Sequence, residues 1–320
     1  MPGFITHYIC GQAIFKNLDP DAQKMIMPHS QFYNIGTQGP DIFFYYLPGL
    51  LRRRLRDIGI QMHKHLFGNF IARMIDILMT EQLPEQKRDL LFSYTSGFLT
   101  HYALDATAHP YVYSKTGVRQ KGDKARAIKY SVSHRKFETA IDVLMLNLMS
   151  SKKPSDYKLW ELIRVDSDPA QIVGGAMSAA IRETYSRDVS PKDVTKAMSY
   201  MVNITRLLQS RKGRRKRLME LIENLVIGEH LVSSIIHMQN VTDGVDYMNI
   251  GHSPWNVPGT EVKTDSFVEL YHEAVSEGYK MIDTLWRCMN GEVSRDKLAD
   301  VLGNRSLSTG FAPDPSVIAG

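Results

Sequence analysis

The chain has 320 residues, enough for one large or two medium domains, with a hydrophobic share of 43% and a charged share of 23% that suit an ordinary globular protein. Net charge is +5, a mild excess, and the two cysteines, Cys10 and Cys288, stand far apart and outside any C-x-x-C pattern, which argues against a disulfide scaffold and a thiolate metal site. No apolar run is long enough to span a bilayer, and the opening MPGFITHYICGQAIF lacks the charged start of a signal peptide, so no transmembrane segment and a cytoplasmic location are expected.

Residues 1–16 read as a short apolar helix carrying His7, broken by the turn chemistry of Asn17–Asp21 (NLDPD). Asp21 and Ser30 are candidate starts for short helical pieces, with Pro28 keeping that region irregular. Ile35–Pro48 (IGTQGPDIFFYYLP) is expected to be a loop that holds Asp41 just ahead of Phe43, Phe44, Tyr45 and Tyr46. A carboxylate placed there wants a partner. Helical periodicity over Ile60–Thr80 puts His63 and His65 near the start of a helix. Pro84 opens the next one, which contains Tyr94–His109 (YTSGFLTHYALDATAH) and is expected to end at Pro110.

A basic loop (SKTGVRQKGDKAR) then leads to a helix with Ser133–Asp142 (SHRKFETAID). Lys152–Asp156 marks a boundary between a helical domain, 1–150, and a C-terminal helical region, 151–320, packed on it. Amphipathic helices follow near 157–164, 169–185, 191–210 and 214–238, then a Gly/Pro/Asn-rich loop at Asp243–Pro258, a long helix from Ser266 to Asn290 and a shorter one at 294–302. The tail from Ser306 reads as polar and loose. No strand pattern or internal repeat survives, so the chain is expected to be all-α.

Positive charge is concentrated at Arg52–Arg56, Lys115–Lys129 and Arg211–Arg217. Such runs attract phosphate-bearing partners, but they read more simply as solvated helix ends and loops, and no nucleic-acid partner is assigned. A membrane-surface role stays open for the C-terminal helices, although no stretch shows the one-sided basic and apolar faces that would require it.

The chemistry lies in the first 140 residues. His101 and Asp105 are four apart, so imidazole and carboxylate share one helix face, and His109 continues the stripe by another turn. His134 and Glu138 repeat the spacing. One such pair is common on helix surfaces. Two pairs and a third histidine in apolar surroundings are the arrangement that builds metal sites inside helix bundles. With His7, Asp41 and one of His63 or His65 the set holds eight candidate ligands, too many for one ion. Imidazole and carboxylate without thiolate suit catalytic zinc, and a multinuclear cluster suits the clamping of both oxygens in a phosphoryl displacement. Taken singly, each residue has a plainer reading as a hydrogen-bonded helix histidine or a helix-start carboxylate.

His7, Gly39-Pro40-Asp41, Met62-His63, His101-x-x-x-Asp105, His109 and His134-x-x-x-Glu138, in that order, resemble the zinc-dependent phospholipase C family, which shares an all-helical fold and a trinuclear zinc site with the S1/P1-type nucleases. The loop DYMNIGHSPWNVP with SFVELY is similar to a C-terminal feature of the family's cytosolic bacterial branch. The resemblance implies a phospholipase C/P1 nuclease-like bundle with additional C-terminal helices and two to three Zn2+ ions. Asp41, His63 and His101 would surround one ion, and His109, His134 and Glu138 a second. His7 and a bridging Asp105 would hold the third with the chain's amino terminus, where Met-Pro-Gly-Phe stands in place of the secreted members' tryptophan; removal of Met1 would free the Pro2 amine for this role. The motif position favours His63 over His65, which point about 200° apart on a helix.

The implied activity is hydrolysis of a phosphodiester, phospholipid or nucleotide-like, by a metal-activated water attacking phosphorus, with Asp41 as general base. A single-strand nuclease of the P1 type and a non-catalytic, zinc-stabilised helical protein are the alternatives. Asp142 reads equally as a group that orients a ligand histidine and as a solvated helix aspartate.

Overall fold

The computed structural model describes residues 3–46, 51–80, 83–117, 124–209, 214–226, 233–257 and 260–312. In chain order its helices are α1 (Phe4–Phe15), α2 (Pro20–Ile26), α3 (Ser30–Gly36), α4 (Leu51–Lys64), α5 (Phe67–Leu78), α6 (Glu85–Thr116), α7 (Lys124–Ser150), α8 (Leu159–Leu162), α9 (Ser167–Tyr185), α10 (Pro191–Leu208), α11 (Arg214–Val226), α12 (Phe267–Met289) and α13 (Arg295–Leu302). Among the described residues there is no strand; one isolated bridge pairs Trp255 with Lys263. The protein is all-α. No helix among the described residues is long and apolar enough to cross a membrane.

The axis of the molecule is α6, in which every residue from Leu90 to Val112 is buried. A helix enclosed on all sides has no solvent face, which is why its sequence mixes apolar and polar residues without an amphipathic stripe. It packs most closely against α12 and α3, and also against α1, α2, α5, α7 and α9. The α3 crossing is backbone against backbone. A Cβ on Gly97 would fall 2.1 Å from the Tyr33 carbonyl oxygen, and one on Gly36 would fall 2.5 Å from that of Tyr94. Only glycine allows that approach. Aromatic packing fixes the other flank: the Phe67 ring centroid lies 4.6 Å from Tyr102 and 5.6 Å from Phe98, contacts worth about 0.5–1.5 kcal/mol each beyond their buried area. On the α12 side, Ser266 and Glu269 form a reciprocal capping box that starts the helix.

Several sequence expectations are corrected. Pro110 does not end its helix, which runs to Thr116. The proline removes the hydrogen bond to the Ala106 carbonyl, but burial of Pro110, Tyr111 and Val112 holds the helix together, and the Gly310 backbone packs against that carbonyl. The Ile60–Thr80 helix is two helices broken at Leu66, whose φ of 59° is left-handed, so His63 closes one helix instead of opening another. The described part of Ile35–Pro48 is no open loop: Ile35 and Gly36 end α3 and Gly39–Tyr45 winds into a 3-10 helix, while Leu47 and Pro48 lie outside the described residues. The expected 214–238 helix ends at Val226. The tail from Ser306 is not loose through its described part, since Leu307 is fully buried and Ser308 donates its N–H to the His63 carbonyl at 3.1 Å. Parts of the basic runs Lys115–Lys129 and Arg211–Arg217, Met1 and Pro2, and His230 lie outside the residues described.

Candidate metal centre

Five segments converge. α1 carries His7, the 3-10 helix Gly39–Tyr45 carries Asp41, the last turn of α4 carries His63, α6 carries His101, Asp105 and His109, and α7 carries His134 and Glu138. The structure brings these eight side chains into three groups: His7, His101 and Asp105; Asp41, His63 and His101; and His109, His134 and Glu138, with the ligating atoms of each group within 4.8 Å of one another. His101 therefore serves two groups. Asp105 ties them together, its Oδ1 lying 3.3 Å from His7 Nε2 while its Oδ2 lies 3.2 Å from His101 Nε2 and 3.7 Å from His63 Nε2. Asp41, the carboxylate that wanted a partner, has His63 Nε2 at 3.2 Å from Oδ1. His65 points elsewhere, against Tyr185.

The protons of the imidazoles are set by groups behind them. His63 Nδ1 meets the Gly59 carbonyl at 2.6 Å, His101 Nδ1 that of Thr37 at 3.1 Å, and His109 Nδ1 that of Leu307 at 3.0 Å. A carbonyl only accepts, so each Nδ1 carries the proton and each Nε2 presents a lone pair to the centre. His134 is held similarly: the Thr116 hydroxyl gives its own hydrogen to the Val112 carbonyl and accepts from His134 Nδ1 at 2.8 Å. Sequence reasoning missed all four of these partners. Three are main-chain carbonyls, which leave no residue-type signal, and Leu307 comes from the far end of the chain. Gly39 is also required: its φ is +52° and a Cβ there would fall 2.4 Å from the His101 ring.

The result is a buried set of acceptors with few protons between them. The Nε2 atoms of His7, His63 and His101 and both oxygens of Asp105 are buried without a hydrogen-bond partner, as is Asp41 Oδ1. In the third group, His109 Nε2 lies 3.2 Å from His134 Nε2, and His134 Nε2 lies 2.9 Å from Glu138 Oε1. Buried polar atoms left this way are costly unless a cation sits among them. Two atoms at zinc-ligand distance from one ion, set at a tetrahedral angle, are about 3.3 Å apart, close to the observed spacings. The residues fit zinc on donor type, tautomer and spacing.

At Asp105, His101, His109 and Glu138, electrostatics favour the protonation states that metal ligands need. Burial raises the Asp105 carboxyl, but His101 and His7 outweigh it and hold it well below the usual carboxylate range. Burial, with His7 beside it, lowers His101 against the pull of Asp105, and burial likewise holds His109 well below the usual imidazole value. Burial works against ionised Glu138 as well, yet His134 brings it down to about 2. Burial also opposes protonation of His63; there the adjacent Asp41 carboxylate and Asp105 win and raise it, which runs against metal binding until a cation displaces the proton.

Asp142 neither touches a ligand histidine nor meets solvent. It is fully buried on α7 and accepts from Ile5 N at 3.0 Å, Thr6 N at 2.8 Å, Thr6 Oγ1 at 2.6 Å and His237 Nε2 at 2.6 Å. It caps the exposed N–H groups of the helix that carries His7. His237, which made no pair in the sequence, is its partner. Of the aromatics after Asp41, Phe43 and Tyr46 are core, Phe44 stacks on His63 at 5.5 Å, and Tyr45 lines a cleft.

Residues 6–188, more than half of the chain, match the family model for zinc dependent phospholipase C. No curated protein and no solved structure matches the chain. The match spans all eight converging side chains, and with the all-helical fold of the phospholipase C/P1 nuclease type it establishes that the chain belongs to the zinc-dependent phospholipase C family.

Proposed function

We propose that the protein is a phosphodiester hydrolase of the phospholipase C type, holding two to three zinc ions in the three groups of side chains. The observation that supports this best is Asp105, fully buried with both oxygens lacking hydrogen-bond donors and three imidazole lone pairs turned toward them. Zinc bound there would supply Lewis acidity toward the phosphoryl oxygens and lower the pKa of water. Three histidines are oriented by main-chain carbonyls, so the ligand positions are set before binding. Asp41 is the carboxylate of the His63 group that meets solvent, its side chain 13% exposed where that of Asp105 is 0%. It takes the proton of the water that attacks phosphorus as the bond to the leaving alcohol breaks. Residues 1–150 form the ligand-bearing unit in this reading, and 151–320 cover it; the two buried, unpaired cysteines support a cytoplasmic location.

The test is metal content per chain by mass spectrometry, alongside hydrolysis of bis(p-nitrophenyl) phosphate and of phosphatidylcholine. Two to three zinc ions and turnover that falls in Asp105→Asn and His134→Ala variants are expected. A chain that takes up no zinc in excess metal, or that binds zinc and cleaves neither diester, overturns the reading.

A further inference from the structure

The helix α11 is built inside out. Its inward side is polar: Lys216 Nζ donates to the carbonyls of Ser233 at 2.9 Å and Ile236 at 3.1 Å, and Glu223, only 2% exposed, accepts the Ser233 N–H at 3.1 Å. Its outward side is apolar, with Leu218, Leu221 and Ile222 exposed by 59%, 62% and 46%. Positions i, i+3 and i+4 share one helix face, so the three side chains form a stripe. Helices that only fold a soluble domain bury that stripe.

The start of α11 is tied to the end of α10. The Arg215 guanidinium donates to the carbonyls of Arg206, Leu207 and Gln209 at 3.1, 2.7 and 3.0 Å, which clamps the first turn of α11 against the last turn of α10. Leu207, 67% exposed, belongs to the same corner. Three large apolar side chains on one exposed face of α11, with Leu207 exposed on the helix end it is tied to, mark a surface made to be covered.

We propose that this corner docks on an anionic lipid surface. Charge identifies the occupant. Arg214 and Arg217 are exposed at the end of the apolar stripe, whereas the described carboxylates of α11 face the other way, Glu223 inward and Glu220 toward Lys216 at 4.0 Å. A face of leucine and arginine without carboxylate matches acyl chains edged by anionic headgroups. Geometry gives the docking a purpose. Leu208, Ile235, Ile236 and His237 line a cleft together with Phe4 and Tyr45. Phe4 lies one turn before His7 in α1, and Tyr45 shares the 3-10 helix of Asp41. The cleft lining therefore joins Leu208, next to the corner, to the segments that carry His7 and Asp41. This purpose rests on the phosphodiesterase reading; the docking itself does not.

Sedimentation of the full chain with vesicles tests it, using phosphatidylcholine alone and phosphatidylcholine with about one-third phosphatidylserine. Preferential binding to the anionic vesicles is expected. The triple variant Leu218→Gln, Leu221→Gln, Ile222→Gln should bind at least roughly tenfold more weakly, and Arg214→Gln with Arg217→Gln should lose the preference for anionic lipid. Zinc content, thermal midpoint and turnover of bis(p-nitrophenyl) phosphate should match the parent in both. A parent that binds neither vesicle, or a triple variant that binds as well as the parent, overturns the docking. So does a parent that forms a concentration-dependent dimer in light scattering that the triple variant abolishes, since the corner would then belong to a second copy. A parent that binds vesicles but cleaves no phosphodiester overturns the proposed function and leaves the docking standing.

Discussion

Replacing Asp142 by asparagine tests whether one buried carboxylate sets the position of the helix that carries His7. Each oxygen of Asp142 has two donors: Oδ1 takes Thr6 N and Thr6 Oγ1, and Oδ2 takes Ile5 N and His237 Nε2. Asparagine keeps one oxygen for Thr6, but its NH2 then faces the Ile5 N–H, donor against donor, while His237 must change tautomer to accept. A buried donor left unsatisfied costs about 1–3 kcal/mol, and the remaining bonds lose the assistance of a charged acceptor. The sum is a destabilisation of about 2–4 kcal/mol, with Asp142→Ala worse because all four donors lose their acceptor. At about 2.1 cal/mol/K per residue, unfolding the 320-residue chain carries an entropy of about 0.67 kcal/mol/K, so a kcal/mol moves the thermal midpoint by about 1.5 °C and a drop of roughly 3–6 °C is expected by calorimetry for the asparagine variant. Zinc retained against a weak chelator should fall with it, because His7 lies within two residues of the capped Ile5 and Thr6. A variant that melts within about 1 °C of the parent and keeps its zinc would refute the reasoning, since water would then be replacing the carboxylate without cost.

Gly39→Ala should cost about 1–2 kcal/mol from its left-handed backbone alone, and more from the clash with the His101 ring, so zinc content should drop further than that of a surface glycine variant such as Gly175→Ala. Leu307→Ala should destabilise by about 2–5 kcal/mol in urea titration, and because its carbonyl holds His109 Nδ1, a larger loss of zinc than in an equally destabilised core variant distant from the site is expected. Glu138 has a folded pKa near 2 against an ordinary value of 4.5, so its contribution is fully present above 4.5 and is lost as pH falls toward 2. The chelated protein should therefore lose stability across that window, and His134→Ala should flatten this part of the pH profile in circular dichroism melts.

The candidate side chains of α6 and α7 were legible because they sit on long helices, where spacing fixes direction. His101, Asp105 and His109 fall on one face of α6 whatever surrounds it, and His134 with Glu138 does the same on α7. The all-α class followed from periodicity, and the family from the order of motifs. Local rules failed where distant segments decide. Pro110 should stop a helix, and packing on all sides of it overrides that preference. Leu66 gives no breaker signal, yet the chain turns there through a left-handed residue, placing His63 on a helix end. Ser306–Phe311 looks like a polar tail, but its carbonyls and N–H groups close on His63 and His109 from across the molecule.

The amino-acid order alone picked out the candidate metal-binding side chains and the pairing of those on α6 and α7, because both depend on residue type and short-range spacing. Only the tertiary structure decided which lone pairs face inward, since main-chain carbonyls of Thr37, Gly59 and Leu307 fix those protons. It also decided that Asp142 caps α1 and that α11 turns its leucines outward. Such contacts join residues far apart in the chain, and no local pattern encodes them.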